Sequence, residues 1–404
     1  MPLLQIFSKS PEQVFQLGLP QVIALCGSGQ LSDGSACAEE LRTFLRQAPS
    51  AKLFTYAEAC LAKSFDKSGL ALQDIVNELG RRLDYQVTNG LYQGRSNAIG
   101  FDGIWKAPDG KSLVVEVKTT DAYRINLDSI AAYRHRLISS NEVANNASIL
   151  IVVGRQDTGD LEAQVRGSRH AWDIRLISVD GLTKLVKLKE ETEEDTVLKI
   201  RELLTPFEYT RVDKIIEIAF TATVEATASE SEPAPSPDSS SQHEHDEEGQ
   251  STQDHTPRSD IEQKREEALA ALALREKNNL VKRSRATFWS PDDEHRLRAA
   301  CSISKRHKSG HYWYAYHPAW DDFLKGASEG SGYFILGCID SDVAFAIPRN
   351  WLIERLPFLN RTEVSESKFY WHIHLEEDEQ GIVGLKIHKK SIVEPMTAFA
   401  LQLS

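Results

Sequence analysis

Apolar positions recur along this chain with more than one rhythm, and the changes of rhythm divide it. Leu72, Ile75, Val76, Leu79 and Leu83 fall at i, i+3, i+4, i+7 and i+11, the stripe of an amphipathic helix. Short strand-like runs follow at 85–88, at 99–118 with a turn in the middle, at 148–153 (SILIVV) and at 174–179. Between them, 127–139 places Ile130, Tyr133 and Leu137 on one side of a helix, and the stretch around Gln164 and His170 is also helical in pattern. A meander followed by strand, helix, strand, helix predicts an α/β domain whose mixed sheet is covered on both faces, over residues 65–222. Upstream, Ser10-Pro11 marks a helix start, and 36–46 and 57–65 are further helices, so 1–64 is expected to be a helical N-terminal extension.

After residue 222 the apolar rhythm stops. Residues 223–261 are rich in Ser, Pro, Glu, Asp and Gln, too poor in apolar side chains to offset the entropy of ordering, and are expected to be a disordered acidic linker. A charged, alanine-rich helix is expected at 262–284. Alternation then resumes: 311–317, 333–339, 343–348, 369–375 and the neighbourhood of Gly384 read as strands, and Pro348 ends one of them before a helix. Residues 285–404 are therefore expected to form a smaller α+β domain with a mostly antiparallel sheet. It holds five of the seven Trp, a density that marks a compact core or a stacking surface. Tyr370, His372 and His374 share one strand face; without a Cys or acid cluster to complete a metal site, they read as aromatic packing.

Charge and cysteines narrow the setting. The formal net charge of the 404 residues is -12, but residues 225–263 contribute eleven acids against Arg258 alone, so the rest of the chain is close to neutral. The five cysteines, at 26, 37, 60, 301 and 338, form no C-x-x-C pair. With no apolar run of the roughly 18 residues that spans a bilayer, the chain is expected to be cytoplasmic, with reduced thiols and no membrane partner.

The stretch with the most chemistry is IGFDGIWKAPDGKSLVVEVK, residues 99–118. Ala107-Pro108-Asp109-Gly110 suits a hairpin turn that pairs Ala107 with Lys111. Counting outward sets Asp102 opposite Glu116 and Gly100 opposite Lys118, with Glu116 and Lys118 on one face and Leu113, Val115 and Val117 on the other. Two opposed carboxylates in a sheet repel one another unless a cation lies between them, and hard oxygen ligands suit magnesium or manganese. Lys118 is then placed to orient water or to offset charge on a phosphate.

At these residues the chain resembles the PD-(D/E)XK nuclease superfamily, closest to its Mrr-like and Holliday-junction-resolvase branch, over residues 65–189. The resemblance implies a restriction-endonuclease-like fold and a metal-dependent DNA endonuclease of restriction or defence type. Asp102 and Glu116 would be metal ligands for Mg2+ or Mn2+, the carbonyl of Val117 a further one, and Lys118 the catalytic lysine. A helical acid of that branch falls here on Gln73, with Asp74 and Glu78 nearby, and Phe101 stands where the motif has Pro. DNA is the implied partner, and other defence-system subunits or a second copy of the chain are left open. Two alternatives stay open as well: a catalytically silent nuclease fold that binds nucleic acid or assembles with partners, and a nuclease of recombination, repair or transposition.

Two basic groups are candidates for phosphate contact, which needs cations and no base-specific geometry. Arg124, Arg134 and Arg136 surround the helix after the hairpin, where they read equally as an ordinary solvated face. Arg283, Arg285, Arg306 and Lys308 belong to the most basic stretch of the chain, interleaved with Phe288 and Trp289. A recognition role for 285–404 would follow.

Overall fold

The computed structural model describes residues 3–62, 65–93, 100–119, 125–154, 159–192, 194–206, 258–307, 311–365, 368–377 and 383–403. The expected linker lies outside these residues up to 257, as do Arg124 and Lys308. The chain forms two compact units, one holding the N-terminal part plus Val281–Arg285, the other built from the described residues 258–280 and from 286 onward. Among the described residues no helix is long and apolar enough to cross a membrane.

In the first unit the N-terminal helices are α1 (Leu3–Phe7), α2 (Pro11–Phe15), α3 (Leu19–Leu25), α4 (Ala36–Gln47) and α5 (Ser50–Ala62), followed by α6 (Ser68–Arg82). A five-stranded sheet runs in the order β1 (Gln86–Asn89), β2 (Gly103–Lys106), β3 (Ser112–Lys118), β4 (Ser148–Val153), β5 (Ile174–Ser178). The first three strands are antiparallel and the last three parallel, so the expected mixed sheet is present. The helices α7 (Leu127–Ser139) and α8 (Gly159–Arg166) supply Leu127, Ile130, Leu161 and Val165 to Ile149, Ile151 and Val153 on one face. The other face, with Leu113, Val115, Leu150 and Val152, is covered by α6, α9 (Val179–Glu191) and α10 (Glu194–Leu204). Residues Val281–Arg285, which include the two-residue strand β6 (Val281–Lys282), also belong to this unit but not to its five-stranded sheet.

Two features differ from the sequence reading. The N-terminal helices are not an appendage: Leu3, Phe7, Leu41, Phe44, Leu53 and Tyr56 are buried in the same core as α6 and the sheet. Burial of each such side chain stabilises by about 1.5–3 kcal/mol, so residues 1–64 and the sheet share one source of stability. As a result α6 is enclosed on nearly all sides, and not only its apolar stripe but also Gln73, Asp74, Asn77, Glu78 and Arg82 are buried. Buried polar groups need partners, and α6 finds them all around itself. At its end, Asp84 adopts a left-handed φ of 64° and accepts from Lys189 Nζ at 2.5 Å and Arg283 Nη2 at 3.0 Å. Lys189 is fully buried and also donates to the Arg82 carbonyl at 2.6 Å.

The second unit begins with α11 (Arg258–Glu276), whose Ala268, Leu269 and Leu272 enter the core, so the expected charged helix ends earlier than 284 and is packed. The remaining elements are β7 (Thr287–Trp289), β8 (Arg298–Ser304), β9 (Tyr312–Tyr316), α12 (Pro318–Lys325), β10 (Gly332–Cys338), β11 (Val343–Pro348), α13 (Arg349–Ile353), β12 (Arg361–Ser365), β13 (Lys368–Glu377), β14 (Val383–Ile387), β15 (Ile392–Pro395) and β16 (Ala400–Gln402). The strands build two sheets where the sequence reading had one. In the first, β16-β11-β10-β8-β7 are neighbours and only β8 and β10 run parallel. In the second, β12-β13-β14-β15 are antiparallel and β9 also pairs with β13. Both are mostly antiparallel, as expected.

Candidate active site

The hairpin takes the register read from the sequence. Lys106 pairs with Ser112 and Gly103 with Val115, while Ala107 N–H donates to the Lys111 carbonyl at 2.8 Å and Gly110 turns with φ 85°. Asp102 N–H donates at 3.0 Å to the carbonyl of Val115, the residue paired with Gly103, so Asp102 lies just past the last ladder pair, close to Glu116 and Val117. Its carboxylate Oδ2 accepts from the Val117 N–H at 2.6 Å. Lys118 Nζ donates to Glu116 Oε1 at 2.5 Å, the two side chains remaining 33% and 14% exposed. Asp102, Glu116 and Lys118 are therefore gathered at one end of β3.

The backbone of Asp102 is held from three directions. Its carbonyl accepts from Gly90 N–H at 2.9 Å, Gln73 Nε2 at 3.1 Å and Asn77 Nδ2 at 2.8 Å. Asn77 Oδ1 in turn accepts from Trp105 Nε1 at 2.9 Å, so one buried carboxamide ties α6 to two neighbouring turns of the hairpin strand. Close approach dictates two glycines here. A Cβ on Gly103 would lie 2.1 Å from Asn77 Oδ1, and one on Gly90 would lie 1.9 Å from the Phe101 carbonyl oxygen. Sequence reasoning placed Gln73 as a stand-in for a helical acid and overlooked Asn77 and Gly90. The available signal was the i, i+4 spacing of two carboxamides on a helix that is otherwise apolar toward the sheet.

The electrostatics follow from crowding. Burial, and then the charge of Glu116, push the Asp102 carboxyl up to about 7, against the opposing pull of the Val117 N–H and Lys118. A buried carboxyl facing another carboxylate is poor for an empty site and good for one that receives a cation. The donor set of Asp102, Glu116 and the Val117 carbonyl is all oxygen, as magnesium and manganese require. Among the described residues no group of three His, Cys, Asp or Glu side chains gathers as a metal cluster, so such an ion would draw its remaining ligands from the backbone, water and phosphate.

The acids of α6 are used otherwise. Asp74 pairs with Arg42 Nε at 2.8 Å and accepts from the Tyr92 hydroxyl, and Glu78 pairs with Arg82 at 3.0 Å and Arg81 at 3.5 Å. Gln73, Asp74 and Glu78 are thus committed to holding α6, its neighbours and the Asp102 turn.

Several basic residues singled out from the sequence already have partners within the protein. Arg134 points inward, donating to the Ala147 carbonyl at 2.5 Å and pairing with Asp173 at 3.2 Å. Arg283 is buried against Asp84, and Arg306 is bracketed by Asp340 at 3.2 Å and Glu377 at 2.8 Å. Each already faces a carboxylate or carbonyl that a phosphate would have to displace. Arg285 is half-buried, with its N–H on the Thr192 carbonyl at 3.2 Å. Of the described candidates Arg136 and Arg306 are exposed, Arg306 within its ion pairs.

No family model matches the chain, and no curated protein does. Among solved structures the chain is similar to the small subunit of the heterodimeric restriction endonuclease R.BspD6I, at 12% identity over 45% of this chain and 94% of that one, with a TM-score of 0.28. The function is accordingly read from the residues themselves.

Proposed function

We propose that this chain is a metal-dependent nuclease of the PD-(D/E)XK type that hydrolyses phosphodiester bonds in DNA, in a restriction or defence role. The observation that carries the reading is the meeting of Asp102, Glu116 and Lys118 at the end of β3, with the Asp102 turn clamped by Gln73, Asn77 and Gly90. A magnesium or manganese ion held by Asp102, Glu116 and the Val117 carbonyl would supply Lewis acidity to the phosphodiester and a lowered pKa to water. Asp102, whose carboxyl burial and Glu116 hold up to about 7, would lose its proton more readily beside a cation. Lys118, paired with Glu116 and one-third exposed, would offset the charge that builds on a phosphate oxygen as the bond breaks.

A second reading, a silent nuclease fold that binds or assembles, is favoured by the self-contained Glu116–Lys118 pair. Plasmid digestion separates the two. Wild-type protein should nick or cut DNA with magnesium or manganese and not with EDTA, and Glu116→Gln should slow cutting at least about a hundredfold while leaving DNA binding intact. Equal residual cutting by wild type and variant in both metals would sink the catalytic reading.

A further inference from the structure

The second unit lines up imidazoles across one sheet. His311 precedes β9, His372 and His374 lie on β13, and His388 follows β14. Ring centroids are 5.3 Å apart for His311 and His374, 4.7 Å for His374 and His388, 6.0 Å for His372 and His374, and 5.6 Å for His307 and His311. The register explains the meeting: Trp313 of β9 stands opposite His374, and the β13–β14 pairing of Leu375 with Leu385 brings Lys386 and His388 to the same face. His372 is fixed in one tautomer, its Nδ1 accepting from Trp313 Nε1 at 3.1 Å and its Nε2 facing the Thr362 hydroxyl at 2.7 Å. His388 Nδ1 is buried with no hydrogen-bond partner.

We infer that this cluster is an acid-triggered release for the β9–β13–β14 sheet, which neutral imidazoles keep closed and protonated imidazoles open. The groups facing His374 from each packed element are His311 on the β9 side, His372 on its own strand, and His388 and Lys386 on the β14 side. The acid close to His388 is Glu376, whose carboxylate is engaged by Lys386 at 2.6 Å, and His307 faces His311 and Lys305. A proton on one ring therefore meets more rings and lysines than acids. Protonation of His372 also costs the indole hydrogen bond. Burial, then the neighbouring rings and Lys386, hold His374 down to about 3, and burial first also lowers His307, His372 and His388. A histidine depressed in the folded state contributes stability that is full above the unfolded value near 6.5 and is lost as pH falls below it. Four such groups linked to one opening shift its equilibrium by up to about 10,000-fold per pH unit. No three of these side chains are gathered as metal ligands, which favours the proton over a metal as the trigger.

Hydrogen exchange on the full chain, corrected for the intrinsic pH dependence of exchange, tests the inference. From pH 7.5 to 5.0, protection of peptides covering Tyr312–Tyr316 and Lys368–Glu377 should fall at least about a hundredfold in wild type. His374→Phe together with His388→Phe, which keeps rings in place and removes two of the four titrating groups, should make that fall at least about tenfold smaller. Should the double variant be unprotected already at pH 7.5, the pH dependence of urea unfolding in wild type decides instead, with uptake of two or more protons expected between pH 6.5 and 5. Wild-type protection independent of pH, an equal fall in a folded double variant, or uptake of fewer than two protons would overturn the proposal. So would strands that tighten on Zn2+ at pH 7.5, which would make the cluster a metal site.

Discussion

The two units bury titratable groups in opposite ways. In the first, acids and bases are buried beside one another, and each is answered by a partner: Asp74 by Arg42, Glu78 by Arg82, Asp84 by Lys189 and Arg283. Asp102 is the exception, because what stands across from it is another carboxylate, and its carboxyl rises to about 7. In the second unit, the buried groups beside one another are imidazoles, which avoid the problem by staying neutral. Acid therefore acts with opposite sign on the two clusters, relieving the strain at Asp102 and creating it among the histidines. A fold can keep like groups together at no electrostatic cost when they can shed charge at working pH, as imidazoles do. A paired carboxyl does so only when its proton is held up toward neutral pH, as burial and Glu116 hold that of Asp102.

The largest expected effect tests the ion pairing. Asp84→Ala leaves the fully buried Lys189 and Arg283 without their acid and should cost the first unit about 3–5 kcal/mol at pH 7 in urea unfolding. Burial raises the Asp84 carboxyl, but the Lys189 and Arg283 charges more than offset this and hold it below its usual range, so its contribution is present above about pH 4 and fades as pH falls through the folded value. Exchange protection in β3 and β4 should drop while that of β10 does not. A loss below about 1 kcal/mol would mean that the network relaxes into water and the contrast between the units is shallow.

The next effect has the reverse sign. A carboxyl raised in the folded state contributes stability that is complete below its unfolded value and lost as pH rises through about 7. In metal-free buffer Asp102→Asn should therefore stabilise the first unit at pH 8, by about 2–4 kcal/mol, and change little below pH 4. Magnesium added at pH 8 should raise the melting temperature of wild type and leave that of the variant unmoved. A variant less stable than wild type at pH 8, with no magnesium response in either, would show that the two carboxylates do not oppose one another.

How much of this was legible beforehand depends on how far apart in sequence the deciding groups lie. The hairpin was readable as far as the Gly103–Val115 pair because Pro108 and Gly110 fix the turn and a two-residue period does the rest, whereas Asp102, one residue further, bonds to the Val115 carbonyl as well. The α6 stripe was readable as well. Its polar side was not, because Asp74 and Asn77 look solvated until Arg42 and the Asp102 carbonyl arrive from 32 and 25 residues away. The strands of the second unit were mostly visible one by one, yet their division into two sheets rests on pairings such as Trp313 with His374 that no local pattern encodes. Arg134 and Arg283 illustrate the same limit: a sequence displays a charge and hides the carboxylate that will face it.

Arg306 carries the smallest effect and the cleanest distinction. It sits over the Tyr312 ring with its guanidinium shared between Asp340 and Glu377, and its side chain is 40% exposed. Ion pairs this accessible to water contribute under about 1 kcal/mol, so Arg306→Ala should barely move the stability of the second unit. Because two acids already neutralise it, the substitution should also leave the salt dependence of DNA binding unchanged, whereas loss of a phosphate contact lowers the slope by about one. Measuring binding between 50 and 200 mM salt, a range over which several phosphate contacts change affinity by orders of magnitude, is sufficient. A slope that flattens by a full unit would mean that phosphate displaces both carboxylates, and would return this arginine to the nucleic-acid surface that its sequence neighbourhood suggested.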